Sequence, residues 1–291
     1  MNIGFIGAGN MGGAIVRGYA SSSLMMYDAT DALFVYDSDA EKAAALAASE
    51  VVFTPADSLE RLVGCSDALV LCVKPVVMDE VLAALAALGA GCPDDGEQGS
   101  PQHRDRLHFD GKLIISVAAG ISIGHIREKL GAHTRVVRVM PNTPAMVGEG
   151  MSALSASDGL PDADAEAAER LFSAIGATVW APEELMDIVT GISGSSPAYA
   201  YLYIEGLIRA GVEGGLSEET ATLLAAQSTL GAAKMVIENL GAVSPRQLCV
   251  NVCSPGGTTI EAVKVLEEAG FTETVRKAAN ASAAKSKLMT R

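Results

Sequence analysis

The chain has 291 residues, with 21 Lys+Arg against 35 Asp+Glu and a formal net charge of −14. That balance argues against a nucleic-acid binder, which needs a basic patch for phosphates, and against a polybasic membrane-surface protein. Hydrophobic residues make up 49% and aromatics only 4%, so the chain can bury a large core but must build it from Ala, Val, Leu, Ile and Met.

The first six residues carry no cationic leader pattern and run directly into a glycine motif. Taken in order, Asn2–Ile6, Leu33–Tyr36, Ala68–Val73, Lys112–Val117 and Arg135–Met140 read as strands. Met11–Ala20, Ala40–Ala48, Asp79–Leu88 and Ile123–Leu130 between them have helical spacing. This β-α alternation predicts a parallel, doubly wound sheet covered by helices. The stretch Gly89–Gly111 breaks the rhythm with Gly, Pro and Asp and reads as a surface loop. Its His103 and His108 lack the paired spacing of metal ligands.

Beyond Pro161 the pattern changes, which predicts domains at 1–161 and 162–291. Apart from a short strand at Ala177–Ala181, everything there reads as helix: Ala163–Ile175, Ser196–Gly214, Ser217–Leu240, Thr258–Ala269 and Thr272–Leu288. Ser196 and Ser217 stand at cap positions. The Ser217 helix is apolar around much of its circumference, so it needs cover on several sides, and a second copy of the chain is the simplest cover. The apolar run around Ala198–Ile208 is too short to span a membrane. The five cysteines (Cys65, Cys72, Cys92, Cys249, Cys253) form no C-x-x-C pair and no metal set. The expectation is a cytoplasmic protein without disulfides, metal or membrane contact.

Four motifs carry chemistry. Gly7-Ala8-Gly9-Asn10-Met11-Gly12 fits G-x-G-x-x-G between a strand and a helix, the context of a dinucleotide pyrophosphate site. Asp37 ends the second strand, where a carboxylate accepts from ribose hydroxyls and repels a 2′-phosphate; this favours NADH mildly over NADPH. No arginine follows Asp37, and Lys42 is the nearest cation. Lys74, in Val73-Lys74-Pro75, sits at a strand end, and Pro141-Asn142-Thr143-Pro144 follows the fifth strand, both at the edge where such sheets bind ligands. The candidate cofactor set also takes in Asp57. Ser254-Pro255-Gly256-Gly257-Thr258-Thr259 makes a backbone nest at a helix start suited to a carboxylate or phosphate, with Thr258 and Glu261 spaced as a capping box. No catalytic triad or paired-carboxylate motif occurs, and hydride transfer needs neither.

Together IGFIGAGNMGGAI, VKP, SVAAGIS, RVMPNTPAMV, VTGISGSSPAYAYLYIE, GAAKMV and SPGGTTIEAVKVLEEAGF resemble the pyrroline-5-carboxylate reductase family, from residue 3 to about 271. The resemblance implies an α/β Rossmann-like dinucleotide-binding domain followed by an all-α dimerisation domain, with dimers often assembled further. It implies NAD(P)H-dependent reduction of an imine carboxylate to proline. Carried over by position, Gly7, Ala8, Gly9, Asn10 and Met11 hold the pyrophosphate, while Lys74, Pro75, Asn142 and Thr143 border the nicotinamide. Ser254, Gly256, Gly257 and Thr258 receive the substrate carboxylate, and Thr259 reaches the ring nitrogen as the catalytic residue. The chain departs from the family pattern at Gly241–Pro245 and at Cys249-Val250, where acidic or basic residues are usual. Two other readings stand beside this one. One is a β-hydroxyacid dehydrogenase with Lys234 as acid/base, and the other is a non-catalytic NAD(H)-binding protein.

Overall fold

A computed structural model describes residues 1–22, 31–48, 53–89, 109 and 111–291. His103, His108, Cys92 and most of the 89–111 loop lie outside the described residues.

Strands β1 (Asn2–Ile6), β2 (Ala32–Tyr36), β3 (Thr54–Pro55), β4 (Ala68–Leu71), β5 (Leu113–Ser116), β6 (Arg135–Met140), β7 (Gly150–Ala156) and β8 (Gly176–Trp180) form one sheet. Its order is β3-β2-β1-β4-β5-β6-β7-β8. The first six strands are parallel, β7 runs antiparallel to β6, and β8 is parallel to β7. Both faces are buried, so the strands read as near-continuous apolar runs. Alternate residues nevertheless serve different faces. Ile3, Phe5, Val70 and Val137 pack with Ile15, Tyr19, Leu171 and Phe172 on one side. Ile6, Leu69, Leu71 and Val136 pack with Leu62, Leu82, Leu85 and Ile126 on the other. Each such fully buried aliphatic side chain contributes roughly 1.5–3 kcal/mol against exposure.

The helices on this sheet are α1 (Asn10–Ser21), α2 (Ala40–Ala47), α3 (Leu59–Cys65), α4 (Met78–Gly89), α5 (Ile123–Leu130), α6 (Asp162–Ser173) and the short α7 (Met186–Val189). Side-chain caps start three of them: Asp39 accepts from Glu41 N–H, Ser58 from Arg61 N–H and Ser122 from His125 N–H. The remaining helices are α8 (Ser196–Glu213), α9 (Glu218–Glu238), α10 (Pro245–Val252), α11 (Thr258–Glu268) and α12 (Phe271–Met289). Ser217 caps α9 as expected, its hydroxyl accepting from Thr220 N–H at 3.2 Å. The cap of α8 is Ser195 rather than Ser196.

The chain divides into two compact units, Met1–Gly194 with Ser282–Arg291, and Ser195–Ala281. The break therefore falls at Gly194, not near Pro161. The reason is that β8 pairs along β7 from Gly150↔Gly176 to Leu154↔Trp180, and α6 sends Leu171 and Phe172 into the sheet core. The second unit is all helical: α8 and α9 pair as a hairpin, and the Tyr203 and Phe271 rings meet at a tilt of 47° with centroids 6.2 Å apart. Residues Ser282–Arg291 belong to the sheet unit. Arg291 N–H donates to Gly120 C=O at 2.9 Å, and Ser122 N–H donates to Arg291 C=O at 3.1 Å. Ser286 donates to Asp187 at 2.7 Å, and the Arg291 guanidinium pairs with Asp79, which also holds His125 Nε2 at 2.6 Å.

One charged cluster is buried in the sheet unit. Asp31 takes the Met1 ammonium at 2.6 Å, the Tyr19 hydroxyl at 2.6 Å and the Arg170 guanidinium at 3.4 Å. Burial alone would raise the Asp31 carboxyl, but the hydrogen bonds from the ammonium and Tyr19 hold it below the usual carboxylate range.

Candidate functional site

The sheet order reverses between β1 and β4, and in open α/β sheets ligands bind outside the strand ends at such a point. The carboxyl ends of β1 to β6 lead into Gly7, Asp37, Asp57, Val73-Lys74-Pro75 and Pro141-Asn142. The predicted cofactor residues thus share one edge.

The glycine turn has the form a pyrophosphate requires. Gly7 has φ +105, and a Cβ there would lie 2.8 Å from Cys72 O. A Cβ at Gly12 would drive into Gly7 O, so the helix can start this close only without one. A Cβ at Gly9 would meet nothing within 4 Å, which makes Gly9 the open face where a ligand can reach the backbone. Gly9 is also the N-cap of α1 and supplies no side-chain cap, so first-turn N–H groups stay available to an anion. Asn10 is exposed and Met11 half-buried beside it. Behind the turn, burial pushes the Cys72 thiol up to about 12 and keeps it from acting as a thiolate. These residues fit a dinucleotide.

Asp37 does more than face the edge. Its Oδ2 accepts from Ala8 N–H at 2.7 Å and its Oδ1 from Asp39 N–H at 2.9 Å, which ties the glycine turn to the start of α2. Asp57 lies exposed after β3 and pairs with Arg61 at 3.1 Å. Lys74 is exposed, caps the short helical turn Pro75–Val77 and has no ion pair among the described residues. Asn142 is 9% exposed. Its Oδ1 accepts from Met151 N–H at 2.9 Å and its Nδ2 donates to Ser193 C=O at 3.3 Å. The polar group expected to face the mouth of the sheet is therefore engaged in holding the loop after β6, while Thr143 beside it is exposed.

In the helical unit, Ser254–Thr259 forms a turn closed by Gly257 N–H to Ser254 C=O at 2.9 Å, with Gly256 at φ +72. The capping box does not form. Gly257 is the N-cap of α11, Thr258 opens the helix, and Glu261 pairs with Lys264 at 2.7 Å. The physical reason is that Gly257, with extended backbone at φ −80 and ψ 170, takes the cap position, so Thr258 falls one residue inside the helix and its hydroxyl cannot reach forward to the third N–H. The result leaves the helix start without a side-chain cap and the Thr258 and Thr259 hydroxyls without a partner among the described residues. Such a start favours an anion. Lys234, the acid/base of the dehydrogenase reading, is exposed on α9. Arg17 was not singled out by sequence reasoning. It lines a cavity beside the glycine turn, a placement that depends on the direction of its side chain and carries no signal in the sequence.

Comparison with known proteins completes these observations. Residues 183–289 match the family described as pyrroline-5-carboxylate reductase dimerisation, and residues 2–91 match NADP oxidoreductase coenzyme F420-dependent. The chain is 36% identical to pyrroline-5-carboxylate reductase of Escherichia coli K12 over 269 residues, covering 92% of this chain and 91% of that protein. It is 37% identical to the pyrroline-5-carboxylate reductase of Pisum sativum over 285 residues, covering 98% and 94%. Among solved structures, the Coxiella burnetii pyrroline-5-carboxylate reductase superposes with TM-score 0.83 at 31% identity, covering 100% of this chain and 98% of that one. The Plasmodium falciparum enzyme with NADP bound superposes with TM-score 0.80 at 31% identity, covering the same shares. Among the described residues, no helix is long and apolar enough to cross a membrane.

Proposed function

The chain belongs to the pyrroline-5-carboxylate reductase family, and from that premise we infer that it reduces L-1-pyrroline-5-carboxylate to L-proline with NADH or NADPH, the last step of proline biosynthesis. What supports this reading is that the chain carries both an open glycine turn in the sheet unit and an uncapped SPGGTT helix start in the helical unit, each suited to an anion, although its net charge is −14. The bound dinucleotide supplies the hydride. What the chain supplies is placement. Gly7, Ala8, Gly9, Asn10 and Met11 hold the pyrophosphate, and Asp37 and Asp57 border the adenosine side. Val73, Lys74, Pro75 and Asn142 frame the nicotinamide side, Asn142 by holding its loop rather than by a free amide. The donor and acceptor carbons must come within about 3–3.5 Å for transfer.

The substrate carboxylate is received by Ser254, Gly256, Gly257 and Thr258 at the start of α11, where backbone N–H groups and the helix dipole favour negative charge. Thr259, the second residue of that helix, donates a hydrogen bond from its hydroxyl to the ring nitrogen as electron density builds there, and the proton that the product amine gains comes from water or arrives with the protonated imine. Positioned donors of this kind contribute on the order of 10²–10³ in rate. The reading includes a homodimer through the helical unit, further assembly of dimers, a cytoplasmic setting, and no nucleic-acid partner.

The test is oxidation of NADH and NADPH with pyrroline-5-carboxylate, measured side by side. Turnover with either supports the reading, and turnover with neither overturns it. Thr259→Ala should lower kcat/KM at least tenfold while NADH still binds; rates equal to the parent would remove Thr259 from the reaction.

A further inference from the structure

We propose that a cavity of about 290 Å³ between the glycine turn and α2 seats the 2′-phosphate of NADPH, and that Arg17 is the residue that selects for it. The cavity is lined by Ala8, Gly9, Asn10, Arg17 and Lys42 among others. The proposal rests on the glycine turn being the dinucleotide site and goes beyond it by naming what sets cofactor choice.

Three observations converge. Arg17 lies in the second turn of α1, yet its head folds back over Gly13, where a Cβ would stand 3.2 Å from Nη1 and 3.3 Å from Nη2. The bare Cα of Gly13 thus makes room for a guanidinium close to the helix start. Arg17 has no ion pair or hydrogen bond among the described residues. An unpaired cation near the positive end of a helix is disfavoured until an anion arrives. Finally, Lys42 reaches the same cavity from α2 and shares its charge with Asp39 at 3.3 Å, so it is the weaker partner. A planar guanidinium matches a phosphate with two parallel donors, whereas an ammonium acts as a point charge.

Asp37 is the opposing element. Its negative charge stands at the adjoining turn, but each oxygen already takes a backbone N–H, from Ala8 and from Asp39, which draws that charge into the turn. The acid and the arginine therefore act against each other, and the chain takes both cofactors. Removing Arg17 leaves the NADH-selective remainder.

Titration calorimetry with two fragments tests this without turnover: adenosine 2′,5′-bisphosphate and 5′-AMP. The parent chain should bind the bisphosphate at least tenfold tighter. Arg17→Met, which keeps the aliphatic stem, should cost at least tenfold for the bisphosphate and less than twofold for 5′-AMP. Lys42→Met should cost about threefold for the bisphosphate. In kinetics, the ratio of kcat/KM for NADPH to that for NADH should fall at least tenfold in Arg17→Met. Should Arg17→Met melt early, Arg17→Lys serves instead, because loss of the bidentate fork alone should weaken the bisphosphate selectively. Equal losses for both fragments, or a parent chain that binds them alike, would overturn the proposal. Binding of neither fragment would overturn the dinucleotide reading itself.

Discussion

The sheet unit and the helical unit treat their apolar residues in opposite ways. In the sheet unit, Ile3, Leu69, Leu82 and Phe172 have no exposed surface. In the helical unit, α9 buries only Ala221 and Ala225 and α8 buries nothing fully. Leu223, Leu230 and Ile237, seven residues apart along α9, are 69%, 55% and 70% exposed. That spacing lays one continuous apolar stripe on one side of the helix. The first unit completes its core within the chain and the second does not, which is the physical content of a dimerisation domain. Composition alone could not show this difference, because both halves are rich in Ala, Leu and Val.

The sharpest way to break the comparison is to charge the stripe. Leu223→Glu with Leu230→Glu should abolish self-association in light scattering, while hydrogen exchange of the sheet unit stays protected. A self-associated double variant would mean the stripe is covered some other way. Next in size, Leu69→Ala should destabilise the sheet unit by about 3 kcal/mol in chemical denaturation, with the association state unchanged. Smaller again, Asp31→Asn should cost roughly 2 kcal/mol near neutral pH, since it weakens charged hydrogen bonds to the Met1 ammonium and Tyr19. The native Asp31 carboxyl is held below its ordinary range, so the unfolded chain binds this proton first. Its stabilisation is therefore present above the ordinary carboxylate range and is lost as the pH falls through the lowered native value. Melting curves of parent and variant should converge on acidification; a constant gap down to strongly acidic pH would refute the role of this carboxylate.

Much of this was legible in the sequence. Strands Asn2–Ile6 and Arg135–Met140 and helix Ile123–Leu130 fall where periodicity places them, because the strands are largely apolar runs and the helix repeats Ile123, Ile126 and Leu130 at helical spacing. Other elements lacked that signal. Thr54–Pro55 is two residues long, and Gly150–Ala156 alternates serines and small residues, so β7 is recognised only by its pairing with β6. Leu59–Cys65 is too short for a periodicity to establish itself, and the apolar residues of Pro245–Val252 run together at Leu248-Cys249-Val250 instead of recurring at helical spacing. The boundary near Pro161 was misplaced for the same reason, since without β7 in view, α6 and β8 have no sheet to join. At the site, the motifs place their residues along one edge of the sheet, but do not show which side chains are engaged there. That Asn142 spans Met151 and Ser193, that Asp37 braces Ala8, and that Arg17 folds over Gly13 all depend on partners distant in sequence or on side-chain direction.

The return of Ser282–Arg291 to the sheet unit makes the helical unit an insertion within a discontinuous domain. During synthesis, residues 282–291 leave the ribosome only after all of 195–281 has emerged. Until then the loop at Gly120–Ser122 lacks its pairing with Arg291, Asp79 has His125 without Arg291, and Asp187 lacks the Ser286 and Thr290 hydroxyls. Closing those contacts across a long separation is entropically slow. The helical segment, with the apolar stripe of α9, is therefore fully synthesised before its own sheet unit can be sealed.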